Sequence, residues 1–232
     1  MHKLIRLELQ RHRMHTYVKA SILISLGLVV FIYFISYVAQ VEKEPDFQTY
    51  PNIFLFTSII SMICFCILSS VIYSRVVIEE YAGNRLLLLF TYPVNRKKML
   101  LAKIILVSVF SMVAMILGSI VPLLIFSVTE SFVPIVNDRL SLDLFISMLS
   151  TIFVLIVSAN VISLIAMRIG FVRKSTPAAI VSSFLLCAIV GNAVIGSLQN
   201  SLLLLVLTVI LIVAGTSVVI ELMQRVHTME TD

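Results

Sequence analysis

Five stretches of this sequence run for 22 to 46 residues without a single Asp, Glu, Lys or Arg: 20–41, 47–74, 104–129, 144–167 and 175–220. About 20 apolar residues in a helix cross the hydrocarbon layer of a bilayer. The first four stretches each hold one span. The last is too long for one helix and fits two, with a turn near Gly196-Ser197-Leu198-Gln199-Asn200. The prediction is an all-α membrane protein of six transmembrane helices, at roughly 20–41, 53–74, 102–127, 144–167, 176–196 and 201–221. Composition excludes the alternatives. Hydrophobic residues make up 60% and charged residues 12%, against roughly 45–50% and 25% in soluble domains. The same figures exclude disorder.

Basic residues orient the spans, because loops rich in Lys and Arg stay in the cytoplasm. Fifteen of the 17 lie on one side: Lys3, Arg6, Arg11, Arg13 and Lys19 before helix 1; Arg75, Arg85, Arg96, Lys97, Lys98 and Lys103 after helix 2; Arg168, Arg173 and Lys174 after helix 4; and Arg225 in the tail. The other side holds only Lys43 and Arg139. Both termini are therefore expected in the cytoplasm. The net charge of +5 follows from this topology and from attraction to anionic lipid, without nucleic acid. A cleaved signal peptide is disfavoured, since the first uncharged run is longer than a typical apolar signal core and no small-x-small site precedes Glu42. Residues 1–19 are expected as a cytoplasmic N-terminal helix on the inner surface, although Arg11 breaks the apolar face of Leu4, Leu7, Met14 and Val18. Residues 20–221 form the transmembrane domain and 222–232 a cytoplasmic tail.

The loop between helices 2 and 3 is the most informative segment. Glu79-Glu80-Tyr81-Ala82-Gly83-Asn84-Arg85 leads into Leu86-Leu87-Leu88-Leu89, then Tyr92-Pro93-Val94-Asn95-Arg96. The leucine run is too short to span, so 86–92 reads as a short helix at the membrane boundary. Gly83 breaks the preceding helix. Pro93 ends the short one by disfavouring the α region at Tyr92. Asn95 fits as N-cap of helix 3. From the residues alone, an ordinary interfacial connector is as good a reading as a docking element.

Several chemistries are missing. No Gly-Lys pair occurs, so there is no phosphate-binding P-loop, and neither HExxH nor GxSxG is present. His2, His12, His15 and His227 fall at the cytoplasmic ends and read as solvated surface. Cys64, Cys66 and Cys187 lie in apolar runs without disulfide or metal spacing and read as small fillers. The interiors of the spans contain no Asp, Glu, Lys, Arg or His. Proton relays, ion-coupled transporters and intramembrane proteases need such groups. Movement of a substrate uphill would therefore draw its energy from another subunit. Asn160 in helix 4 and Asn192 in helix 5 have two open roles, helix packing or a place on a substrate path. Pro122 is expected to kink helix 3, with Gly118 one turn earlier.

In the loop after helix 2 the sequence resembles the permease subunits of ABC-2 type exporters. The residues that carry the resemblance are Glu79-Glu80-Tyr81-Ala82-Gly83, the leucine run, Tyr92-Pro93-Val94-Asn95-Arg96, and Lys103. Asn84-Arg85 departs from the Thr or Ser plus acidic pair common there, and the helix 5–6 hairpin is compact where larger members carry re-entrant helices. The resemblance implies six spans in the ABC-2 permease fold. It implies a coupling helix at about 79–92 seated on a separate ATP-binding subunit, with Glu79, Glu80, Tyr81, Gly83, Asn84, Arg85, Leu86 and Leu87 in the contact and Pro93, Asn95, Arg96 and Lys103 at the start of helix 3. It also implies a connector helix at 1–19, and a permease dimer, either a homodimer or a pair with a sister chain. ATP and Mg would be bound by the partner subunit, with no cofactor or metal in this chain. The small size and bare loops look most like permeases that export hydrophobic or amphipathic peptides from Gram-positive bacteria, as in lantibiotic and bacitracin resistance. Two other functions compete: a non-transporting membrane scaffold or immunity protein, and a membrane-embedded enzyme, the latter disfavoured by the lack of clustered catalytic residues.

The topology predicts a labelling pattern. Single cysteines placed at 43–50 and 135–140 should react with an impermeant maleimide on sealed cells, and cysteines at 84 and 97 only after lysis. Reaction at 84 in sealed cells would refute the six-span order.

Overall fold

A computed structural model of the chain describes residues 14–42, 49–81, 96–132, 142–197 and 201–228. They form six long helices: α1 (Met14–Glu42), α2 (Tyr50–Tyr73), α3 (Arg96–Phe132), α4 (Leu142–Arg173), α5 (Thr176–Ser197) and α6 (Ser201–Thr228). A π-helical turn, Ser74–Ile78, continues α2. All six are long and apolar enough to cross a membrane. Each expected span falls within one of them, and the α5–α6 break falls where the sequence placed it.

Differences lie at the ends. Residues 14–19, expected in a separate surface helix, are the first turns of α1. No Gly or Pro stands between Met14 and Ala20 to break the helix, and residues 1–13 of that expected connector lie outside the described residues. α3 extends further inward than expected and runs unbroken through Pro122. Its 37 residues are about 55 Å long at 1.5 Å per residue, well beyond the roughly 30 Å of hydrocarbon.

α4 and α2 form the centre. They pack on each other and on α5, α3 packs on α1 and α2, and α6 leans on α4. Over its most apolar window α4 is 56% buried and α6 only 17%, so α6 is a peripheral helix. Its outward face, with those of α1 and α5, exposes Leu, Ile, Val and Phe side chains in rows, as a lipid-facing surface does. Close approach depends on small residues. Gly118 lies against the Phe65 ring, where an added Cβ would collide, and one residue on the Ser61 and Ser119 hydroxyls bond at 2.7 Å across the same seam. Gly118 thus admits a neighbour. α4 and α5 meet in a tight turn in which Ser175 N–H bonds Gly170 O at 3.1 Å and Lys174 adopts the left-handed φ of 48°, a Schellman-type cap.

At the end assigned to the outside, aromatic rings join three helices. Phe126 of α3 meets Tyr33 of α1 edge-on at 5.5 Å and Phe54 of α2 at 5.9 Å. Tyr33 and Thr129 hydroxyls bond at 2.5 Å, and Tyr50 donates to the buried Glu130 carboxylate at 3.0 Å.

The α2–α3 seam predicts a size limit. Gly118→Leu should destabilise the detergent-solubilised protein by about 1–3 kcal/mol, and Phe65→Ala in the same chain should restore part of the loss. The chain has no Trp, so melting is best followed by size-exclusion recovery of a fluorescent fusion.

Candidate functional site

The inner end of the bundle is built around one buried ion pair. Lys103 stands two turns into α3 with Met99-Leu100-Leu101-Ala102 before it and Ile104-Ile105-Leu106-Val107 after it. Its side chain has no solvent exposure. A lone ammonium in such surroundings requires a carboxylate, and Glu80, 4% exposed at its side chain, provides one. Lys103 Nζ also donates to Val76 O at 3.3 Å. The π-helical turn explains this second bond. Glu79 N–H reaches back five residues to Ser74 O at 2.9 Å, whereas Tyr81 N–H turns to Val77 O at 3.2 Å. The Val76 carbonyl that a continued π pattern would offer to Tyr81 takes the ammonium instead.

Packing around the pair is dense. Ile72, Tyr73, Val76, Val77, Leu100 and Val107 enclose it in one apolar cluster. Tyr81 is buried with its ring 5.5 Å from that of Phe171 in α4. Gly170 lies against Ile78 and Ala179, leaving no room for a Cβ. Beside this cluster, Arg168 of α4 donates to Glu221 of α6 at 2.7 Å, and Arg225 bonds the same carboxylate at 3.1 Å. That network is half-exposed, where ion pairs contribute little.

These positions revise the expected docking surface. Glu80 and Tyr81 point into the bundle and are unavailable to a partner; Lys103 is spent on Glu80. Glu79 is half-buried, and Arg75 is exposed beside it. Arg96 is the first described residue of α3. Gly83, Asn84, Arg85, Leu86, Leu87, Pro93 and Asn95 lie outside the described residues. The reading of the spans as free of charge also needs correction. α2, with its π turn, and α3 reach inward far enough to bring Lys103 and Glu80 together within the buried bundle, because pairing makes burial tolerable. Its sequence signal is the single Lys in a long apolar window.

Asn160 and Asn192 part company. Asn160 is buried; Ser111 of α3 donates to its Oδ1 at 3.0 Å, and its Nδ2 donates to Ile156 O at 3.0 Å. That is helix packing. Asn192 is exposed on the outer face of α5, its amide donating to Ala188 O one turn back at 2.8 Å. Neither lines the outer cleft, an opening of about 400 Å³ at the outer ends of α2, α4 and α5, walled by Asn52, Phe54, Ser58, Ser147, Met148 and Thr151 among others. No ionisable side chain lines it. Sequence reading missed it because its hydroxyls come from two helices 90 residues apart and carry no motif.

Comparison with known proteins gives the family. The family model described as ABC-2 family transporter protein matches residues 4–190, most of the chain. The chain belongs to the ABC-2 transporter family and is its multi-pass membrane component. Membership implies an ATP-binding subunit as partner, and membrane domains of this family typically lack ATPase activity. The chain is also similar to the uncharacterized protein YcbO of Bacillus subtilis (strain 168), 26% identical over 189 residues, covering 82% of this chain and 83% of that one. No solved structure matches.

The Asn160 geometry predicts a mild variant. Asn160→Leu should insert normally and lose about 0.6 kcal/mol, the average for an interhelical bond in a membrane, because the Ser111 hydroxyl retains Ser108 O at 3.1 Å. Unfolding in mixed detergent measures it. A loss as large as that of a broken buried ion pair would give Asn160 a larger role.

Proposed function

We propose that this chain is the permease subunit of an ATP-driven exporter that moves a hydrophobic or amphipathic peptide out of a bacterial cell. Antimicrobial peptides, lantibiotics and peptide toxins are the substrate class. The observation that carries the reading is the pairing of charge. The middle stretches of the six helices hold no Asp, Glu, Lys, Arg or His. Near the inner boundary Lys103 is neutralised by Glu80; near the outer boundary Glu130 accepts a hydrogen bond from Tyr50. Lys103 matched by Glu80 is suited to holding the inner end together rather than to binding and releasing an ion there. ATP and Mg bound by a partner subunit supply the energy, and the loop between α2 and α3 receives it.

The outer cleft supports the substrate class. Its walls mix apolar side chains with Asn52, Ser58, Ser147 and Thr151, which suits an amphipathic molecule whose polar part is neutral or hydrogen-bonding at that level. The exposed amide of Asn192 on α5 supports a dimer, because an amide facing lipid is costly and one facing a second permease finds partners. With Glu80 and Tyr81 turned inward, docking on the ATPase falls to residues 82–92, led by the leucine run.

The ATP-binding subunit that family membership implies for this chain provides the test. The two are co-expressed and the complex is purified through a tag on the permease. Leu87→Asp should lower ATPase recovery about tenfold, the effect of losing a central apolar anchor, while insertion of the permease is unchanged. Full recovery with Leu87→Asp would reject the docking role. Failure of the unaltered chain to retain any ATP-binding protein would reject the exporter reading.

A further inference from the structure

The buried pair sits at the neck of the loop. The loop leaves the described structure after Tyr81 and returns at Arg96. Glu80 precedes the departure by one residue, and Lys103 follows the return by seven, about 10 Å along the helix. Their ion pair therefore closes the neck and binds the end of α2 to the start of α3 across a water-free contact. Charges so buried are held tightly, because separating them exposes each to low dielectric without a partner.

The two helices that the pair joins differ in stiffness. α3 is a continuous helix to Phe132, and its outer end is tied to α1 and α2 through Thr129, Glu130 and Phe126. α2 ends in the π-helical turn Ser74–Ile78, a less stable register that can convert to α by passing its extra residue along the chain. The hydroxyls nearby are prepared for such a change. Elsewhere in the spans buried hydroxyls bond a carbonyl one turn back, as Ser36, Thr57, Ser158 and Ser163 do. Ser69, Ser70 and Ser74 are as deeply buried, yet their Oγ atoms find no partner among the described residues. Each is a spare donor for a carbonyl released when the π turn shifts.

We propose that the Glu80–Lys103 pair is a clasp that carries displacement of the 82–95 loop into α3, with the π turn of α2 as the segment that yields. Both residues are positioning residues: they touch neither nucleotide nor substrate. A push on the loop moves the neck as a unit. α3 transmits it along its length, and α2 absorbs the difference at Ser74–Ile78. Without the clasp the two arms of the loop move independently and α3 stays still. The inference rests on the loop being the contact with the ATPase.

The test reads α3 at its far end. Phe132, exposed at the outer end of α3, is replaced by Cys in a chain whose Cys64, Cys66 and Cys187 are Ala, and labelled with bimane. The complex with its ATP-binding subunit is placed in nanodiscs, and fluorescence is recorded on adding MgATP and vanadate. The reference chain should give a fluorescence change. Glu80→Gln and Lys103→Met should each shrink that change by about fivefold or more, the lower range of coupling energies, while ATPase recovery and hydrolysis persist. The exchange Glu80→Lys with Lys103→Glu should restore it. A full-sized response in Glu80→Gln or Lys103→Met overturns the clasp. If the single variants do not accumulate in the membrane, the charge exchange decides: a restored response supports the clasp, and a silent α3 beside continuing hydrolysis overturns it. Loss of ATPase from the reference complex refutes the loop contact and so marks failure of the exporter reading itself.

Discussion

An unpaired polar group in hydrocarbon costs several kcal/mol, and most features of this protein answer to that cost. It makes every spanning segment a helix. It sends the hydroxyls of Ser36, Thr57, Ser127 and Ser158 back to carbonyls one turn earlier. It turns Asn160 toward Ser111, and it brings Glu80 to Lys103. Because water cannot substitute for a lost partner, each such contact also fixes a helix against its neighbour. The same groups that keep the chain soluble in lipid thus set its tertiary structure.

Contacts of this kind are unevenly spread, and the distribution separates rigid parts from yielding ones. The centre, where α2, α4 and α5 meet, is held by small residues in close approach, with Ala159 and Ser163 beside Cys66. The outer end is held by rings and the Tyr50–Glu130 bond. Among the described residues, the inner end is where the buried ion pair, the π turn and the unpartnered hydroxyls of Ser69, Ser70 and Ser74 occur together. A transporter that takes its energy from a separate subunit must accept motion at the face that subunit touches and stay ordered elsewhere. The inner end has the physical character that task requires.

The membrane architecture was largely legible in the sequence, because it depends on the length of apolar runs and the side on which Lys and Arg accumulate. Asn160 was legible as a polar group, but its bonding partner, the Ser111 hydroxyl of α3, was not. The inner site was legible only in its covalent order. Glu79 and Glu80 read alike as surface acids, since they adjoin a polar loop. Their separation is the ordinary rotation of about 100° per residue about the helix axis; which of the two faces inward depends on the phase that the π turn Ser74–Ile78 sets, and the sequence does not show that turn. Lys103 was misjudged for a related reason. A basic residue next to Arg96, Lys97 and Lys98 is read with its cluster, but seven residues of helix carry it away from them and into the apolar layer.

That misreading bears on how charge can serve a membrane transporter. Ionisable groups inside membranes are usually taken as groups that bind or move ions, and their burial is tolerated for that function. Here the buried ammonium of Lys103 is held by a carboxylate and a carbonyl. Replacing such a pair with apolar side chains often leaves a protein equally stable, so stability alone does not account for it. An apolar contact at the neck would let α2 and α3 slide by small increments; an ion pair in a dry site has one geometry and a steep penalty for leaving it. A joint that must hold under load, beside a turn that must give, is better built from charge than from methyl groups.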